Sequence, residues 1–192
     1  MNFKGASILA NPHPCSHIVY PYTDEGLVGQ AVALFTSAGL HDDEGVVLII
    51  SASHCEAIKL RLLLEGIQAE AYERSGQLIC VIAEDLLESF LPNGELDEGL
   101  FKSAIGQLIE RAKTCAASGH PRKVRVFGEM VSQLRGRDLK ATTRLEELWN
   151  GVIEEHSVSL LCTYALDGAE DRLPGTLVEL HSHSIEREAP IA

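Results

Sequence analysis

Cys15, His17, Tyr20 and Tyr22 crowd one short stretch, Cys15-Ser-His-Ile-Val-Tyr-Pro-Tyr22. An imidazole, a thiol and two phenols can orient a polar ligand by hydrogen bonding, and the first two can also ligate a soft metal. Further along come the adjacent pair His54-Cys55, then Glu84 after one apolar run, Glu129 after another and Tyr164 at the end of a third. Nucleophilic catalysis finds little support. There is no GxSxG elbow, and neighbours such as His54 and Cys55 do not face each other on a helix. No catalytic residue is assigned, and the chain is not expected to be an enzyme. Cys15/His17 and His181/His183 are two i,i+2 pairs of soft ligands. They could share an ion only if 181–183 were extended and lay beside the first strand. The 176–185 segment reads as a helix, so no metal ligand and no cofactor is assigned.

The elements that must position these groups follow from the apolar pattern. A first strand is expected over about Ser16 to Tyr20, followed by a loop, Tyr20-Pro-Tyr-Thr-Asp-Glu25, and a helix with Thr23 as N-cap and Gly39 at its C′ position. The helix carries Leu27, Val28, Ala31, Val32, Leu34, Phe35 and Ala38 at helical spacing. The runs 46–50, 78–82 and 158–162 are apolar runs of the kind that strands covered on both faces need, and further strands are read over 123–127 and on to Tyr164. Between them lie a helix opened by a capping box at Ser53-x-x-Glu56 and ended at Gly66, an ambiguous 67–76 stretch, a long helix after the Leu91–Asp97 turn reaching about 117, and a helix over 139–155 with Leu145, Leu148, Trp149, Val152 and Ile153 inward. Strand and helix alternate throughout. The predicted fold class is therefore α/β, a three-layer sandwich with a mostly parallel central sheet and the first strand in its middle. Residues 1–14 read as a leader kept out of a helix by Pro12 and Pro14, and 15–188 as a single domain.

In a sheet of this kind ligands bind beyond the C-terminal strand ends. The first strand–loop–helix is where a nucleotide-binding relative would cradle phosphate. Here the 20–25 loop has neither GxxxxGK[ST] nor GxGxxG, and it places Asp24 and Glu25 where a phosphate needs bare N–H groups and cations. The expected ligand-binding residues are His17, Tyr20, Tyr22, His54, Glu129 and Tyr164. Glu129 is read either as orienting a polar ligand or as pairing with Arg125. Each residue also has a plain structural reading: His17 as a hydrogen-bonded core histidine, Glu129 as a helix N-terminal carboxylate.

With 192 residues, the chain has length for one three-layer core. A net charge of −12 argues against nucleic acid and anionic membrane surfaces as partners. Five cysteines without a CxxC fit neither a disulfide framework nor a zinc knuckle. No signal peptide or membrane-length apolar run is read, so a soluble, cytoplasmic protein is expected.

Taken in order, Cys15-x-His17-x4-Tyr22, Gly76-Gln-Leu78, Leu91-Pro-Asn-Gly-x-x-Asp97, Arg125-Val-Phe-Gly-Glu-Met130 and Leu161-Cys-x-Tyr164 resemble the MEDS domain, the sensory domain of DcmR-type methanogen and methylotroph regulators. The resemblance covers roughly 15–185. It implies a RecA/KaiC-like core without its P-loop and a non-enzymatic sensor of small hydrocarbon derivatives. Such a sensor acts in bacterial or archaeal signal transduction or transcription control, with a histidine kinase or transcription regulator as partner. No DNA-binding or kinase segment is read in this chain. The rival expectations are a metal- or thiol-based redox sensor, a residual nucleotide-binding RecA-like protein, and an interaction module without a ligand.

Overall fold

Val46, Val47, Leu48, Ile49 and Ile50 are all buried, and a strand buried on both faces needs helices above and below it. The computed structural model describes residues 5–114, 119–168 and 170–186. Outside them fall Cys115, the predicted helix end near 117, the first four positions of the predicted leader and the last positions of the predicted 15–188 domain. Strands β1 (His17–Tyr22), β2 (Gly45–Ile50), β3 (Leu78–Ile82), β4 (Val124–Gly128), β5 (Ser159–Ala165) and β6 (His183–Ser184) form one 6-stranded sheet in the order β3-β2-β4-β5-β1-β6. Every pairing is parallel.

Side-chain alternation splits the sheet into two apolar layers. Ile18, Tyr20, Tyr22, Leu48, Ile50, Phe127 and Leu161 pack under α1 (Ala6–Ala10), α2 (Glu25–His41) and α3 (Ala52–Leu64). Val19, Val47, Ile49, Val126, Leu160, Cys162 and Tyr164 face the other way, toward α6 (Glu98–Lys113) and α8 (Leu139–His156). There Trp149 meets Phe101 edge-on at 5.1 Å. The helices α4 (Ala69–Ser75), α5 (Ala83–Ser89), α7 (Met130–Arg135) and α9 (Gly175–Val178) are short.

Several boundaries differ from those expected. The N-cap of α2 is Asp24, whose carboxylate accepts from the Leu27 N–H, not Thr23. The cap of α3 is Ser51 rather than Ser53. Gly39 does not end α2; the helix runs on to His41. Its missing Cβ makes room instead for Arg125, whose Nε would lie 2.5 Å from a methyl at that position. Arg125 is buried, pairs with Glu44 and donates to the Phe35 carbonyl at 2.9 Å. It does not pair with Glu129, because the two stand at opposite ends of β4. Pro12 and Pro14 do not keep the whole leader out of a helix; they follow a short one, α1, whose Leu9 is fully buried. The predicted 176–185 helix stops at Val178, and the chain then extends as edge strand β6. Pairing overrides local propensity there: the Ser182 N–H donates to the His17 carbonyl at 2.8 Å, and the Ser182 hydroxyl accepts from the His17 N–H at 2.9 Å. As a result β1 is next to the edge and not in the middle of the sheet, where β4 and β5 lie.

Candidate functional site

Beyond the C-terminal ends of β1, β2 and β4 lies a pocket of about 420 Å³. Its floor and walls are apolar, made by Val28, Val32, Ile50 and Ile58, and its polar groups are Ser53, His54, Arg61, Glu25 and Glu129. β1 continues to Tyr22, so only Thr23 and Asp24 connect it to α2. That connection is too short to wrap a phosphate chain, and the Asp24 carboxylate already accepts from the Leu27 N–H in the first turn of α2.

His54 is the centre of the polar side. Its Nδ1 lies 2.5 Å from Glu129 Oε1 and its Nε2 2.9 Å from Glu25 Oε2. Glu129 is anchored in turn by the Ser51 N–H, which donates to Oε2 at 2.8 Å. The chain Glu25–His54–Glu129 thus ties the N-termini of α2 and α3 to the end of β4. The hydrogen bond to Glu129, helped by Glu25 and opposed by burial, raises the His54 pKa from 6.5 to about 8. The imidazole is therefore a cation at neutral pH, standing between two carboxylates. Tyr22 sits beside them, buried. Its phenol is pushed upward first by burial and then by the charges of Glu25 and Glu129, and so stays protonated. Cys55 is not on the pocket wall. It is buried in the apolar layer, where a hydrogen bond with Cys80 draws its thiol down to about 7. A larger groove of about 620 Å³ runs between α1, α2 and α3, lined by Ala6, Ala10, Ala31, Leu34 and Leu64. Its polar lining, Ser7, Gln30, Arg61 and Glu65, lies away from the strand ends.

The six predicted residues therefore divide. His54 and Glu129 line the strand-end pocket, while Tyr20 and Tyr22 are buried in the layer beneath α2 and α3, Tyr22 within reach of the Glu25 and Glu129 charges. His17 and Tyr164 are not brought there. They face the opposite side of the sheet, in a buried cluster with Glu146, Cys162 and His181. His17 Nε2 is 3.3 Å from Glu146 Oε2 and 3.5 Å from Cys162 Sγ. His181 Nε2 is 3.3 Å from Glu146 Oε1, and the Tyr164 hydroxyl donates to that same oxygen. Burial and the facing carboxylate push the Cys162 and Tyr164 pKa values up, so both remain protonated. Of the residues that sequence reasoning missed, Glu25 opens a helix whose periodicity was legible, and Arg61 sits on one read from its capping box and Gly66. Glu146 was hidden among solvent-type charges of α8, although it stands four positions after buried Thr142 and three before buried Trp149, on the helix's inward side.

The architecture is that of the RecA/KaiC class with the phosphate-binding turn removed. In structure the chain is similar to a KaiC-like protein from the hyperthermophilic archaeon Pyrococcus horikoshii OT3, with a TM-score of 0.62 at 13% identity over 89% of this chain and 70% of that one. A comparison with curated proteins finds no match. The family profile of the methanogen/methylotroph DcmR sensory domain, MEDS, matches residues 16–182, and the chain belongs to that family.

Proposed function

We propose that this chain is a non-enzymatic sensor whose ligand is a small hydrocarbon derivative held in the strand-end pocket. It would act in the cytoplasm as the input of a transcription regulator or histidine kinase. The observation that carries the reading is the combination of apolar walls and one polar side, centred on the Glu25–His54–Glu129 chain, in the crevice where the parallel-sheet fold receives ligands. Such a pocket suits a compact molecule with an apolar body and one polar end: burial of the body supplies affinity, and one or two hydrogen bonds fix its orientation. Both ring nitrogens of His54 are paired with carboxylates rather than with Ser53 or Cys55. That arrangement supports binding over nucleophilic chemistry. Membership of a sensory-domain family supports the signalling role, and no helix among the described residues is long and apolar enough to cross a membrane.

The test is a thermal-shift and calorimetric screen of small alcohols, halomethanes and short acids. A member of the set is expected to raise the melting temperature of the wild type. Glu129→Gln keeps the shape but removes the charge that orients His54. It should weaken that ligand roughly 10-fold or more, the scale of one hydrogen bond to a charged group. If Glu129→Gln binds the same ligand as tightly as wild type, the ligand lies elsewhere and the site assignment fails.

A further inference from the structure

The buried cluster on the far side of the sheet is organised in a way that a plain core network is not. His17, Glu146, Cys162 and His181 come from the start of β1, the middle of α8, the middle of β5 and the strap between α9 and β6. One ligand atom of each lies within 4.8 Å of all the others. The separations are 3.3 Å from His17 Nε2 to Glu146 Oε2, 3.3 Å from His181 Nε2 to Glu146 Oε1, 3.5 Å from His17 Nε2 to Cys162 Sγ and 3.7 Å from that sulfur to Glu146 Oε2, and they can be compared with a coordination polyhedron. Zinc–ligand bonds of about 2.0–2.3 Å in a tetrahedron put neighbouring ligand atoms about 3.3–3.8 Å apart.

The hydrogen-bond network behind the cluster orients it. The Asn150 Nδ2 donates to the Leu180 carbonyl at 3.1 Å, which leaves its Oδ1, 2.9 Å from His17 Nδ1, as the acceptor of an N–H. His181 Nδ1 faces the Leu177 carbonyl at 2.8 Å, also an obligatory acceptor. Both imidazoles therefore carry a proton on Nδ1 and, when neutral, turn a bare Nε2 lone pair inward. Those lone pairs meet a carboxylate. His181 Nε2 makes no hydrogen bond although its side chain is 0% exposed. A site whose Nδ1 atoms are held by acceptors while Nε2, a carboxylate and a thiol converge has the arrangement by which proteins orient metal ligands. A divalent ion would also remove the charge problem. Glu146 and an ionised Cys162 together neutralise it, whereas without an ion the buried carboxylate has no partner of fixed opposite charge.

We propose that His17, Glu146, Cys162 and His181 bind one divalent transition ion of the zinc class, with Asn150, the Leu177 carbonyl and Tyr164 orienting the ligands. The mixed nitrogen, sulfur and oxygen set suits a borderline-soft ion, and its burial describes a closed site. The ion would clamp the α9–β6 strap, which reaches the sheet through an edge strand of 2 residues, to α8 and β5.

The experiment uses the full chain, stripped with a chelator and titrated with Zn²⁺ or Co²⁺. One equivalent should bind and raise the melting temperature, and the Co²⁺ form should show the visible bands of a tetrahedral ion together with a thiolate-to-cobalt charge-transfer band. Cys162→Ser and His181→Gln should each weaken binding on the order of 100-fold, and Asn150→Ala, which leaves every ligand in place, by about 10-fold. Cys55→Ser should change nothing. Folded wild type that takes up no stoichiometric ion, or that binds Co²⁺ without the thiolate band, overturns the proposal even if the ligand variants fail to fold. Uptake that Asn150→Ala, Cys162→Ser and His181→Gln all leave unchanged overturns it too, because the ion then lies elsewhere.

Discussion

At the scale of single residues, His54 carries the clearest consequence. Its pKa is raised from 6.5 to about 8, chiefly by the hydrogen bond to Glu129. A histidine whose pKa is higher folded than unfolded adds stability that is fully present below the unfolded value and is lost as pH rises through the folded one. The window is therefore about 6.5 to 8. The side chain is 32% exposed, so solvent screening reduces the effect to on the order of 1 kcal/mol. Urea midpoints of wild type should fall between those pH values relative to His54→Gln; parallel pH profiles for the two proteins would show that the Glu25–His54–Glu129 chain does not hold in solution. The same charge arrangement explains why Glu129→Gln is expected to act on ligand binding. The amide keeps one acceptor for the Ser51 N–H but no longer holds His54 as a cation at the pocket.

At the scale of elements, the contact between α2 and the sheet decides a glycine. Gly39 lies inside α2, where alanine would ordinarily gain roughly 1 kcal/mol. A methyl there would lie 2.5 Å from Arg125 Nε and 2.6 Å from Arg125 Cδ. Arg125 cannot easily yield, because it is buried, paired with Glu44 and bonded to the Phe35 carbonyl, with its guanidinium 5.1 Å from the Phe35 ring centroid. Displacing it disturbs a buried ion pair, so Gly39→Ala should destabilise by roughly 2–4 kcal/mol, the loss outweighing the propensity gain. Equilibrium urea unfolding measures it; a more stable Gly39→Ala protein would mean that Arg125 is not seated as described. The short α9 and β6 present the opposite case. Their positions depend on Ser182 bridging to His17 and on His181 entering the cluster beneath α8, and not on any strong preference of the segment itself.

At the scale of the whole molecule, the parallel sheet leaves a strand-end crevice whose first strand–helix connection has no means of holding phosphate. The β1–α2 connection is reduced to Thr23 and Asp24, and Asp24 caps the helix end that phosphate would need. Calorimetric titration with ATP and Mg²⁺ is expected to give no heat. A micromolar dissociation constant, on the order of −8 kcal/mol, would favour a residual nucleotide-binding function instead. Much of this architecture was determined by the sequence alone. The apolar runs at 46–50, 78–82 and 158–162 are self-sufficient signals, because a strand covered on both faces must be apolar at nearly every position. Alternation with amphipathic helices then leaves few topologies but a parallel sandwich. The lost phosphate loop was legible because it is a local motif, and the placement of His54 and Glu129 followed from the rule that strand ends meet at one edge. What only the tertiary structure decided is everything that depends on which face a side chain takes and which distant segment returns to it. His17 and Tyr22 lie on one strand and differ by an odd number of positions, so the pleat sends them to opposite layers. Glu146, placed among charges that read as solvated, is fully buried because α8 presses it between two strands and a strap. Ser182 turns a segment of helical pattern into an edge strand because β1 offers unpaired backbone groups, a partner no local window of sequence contains.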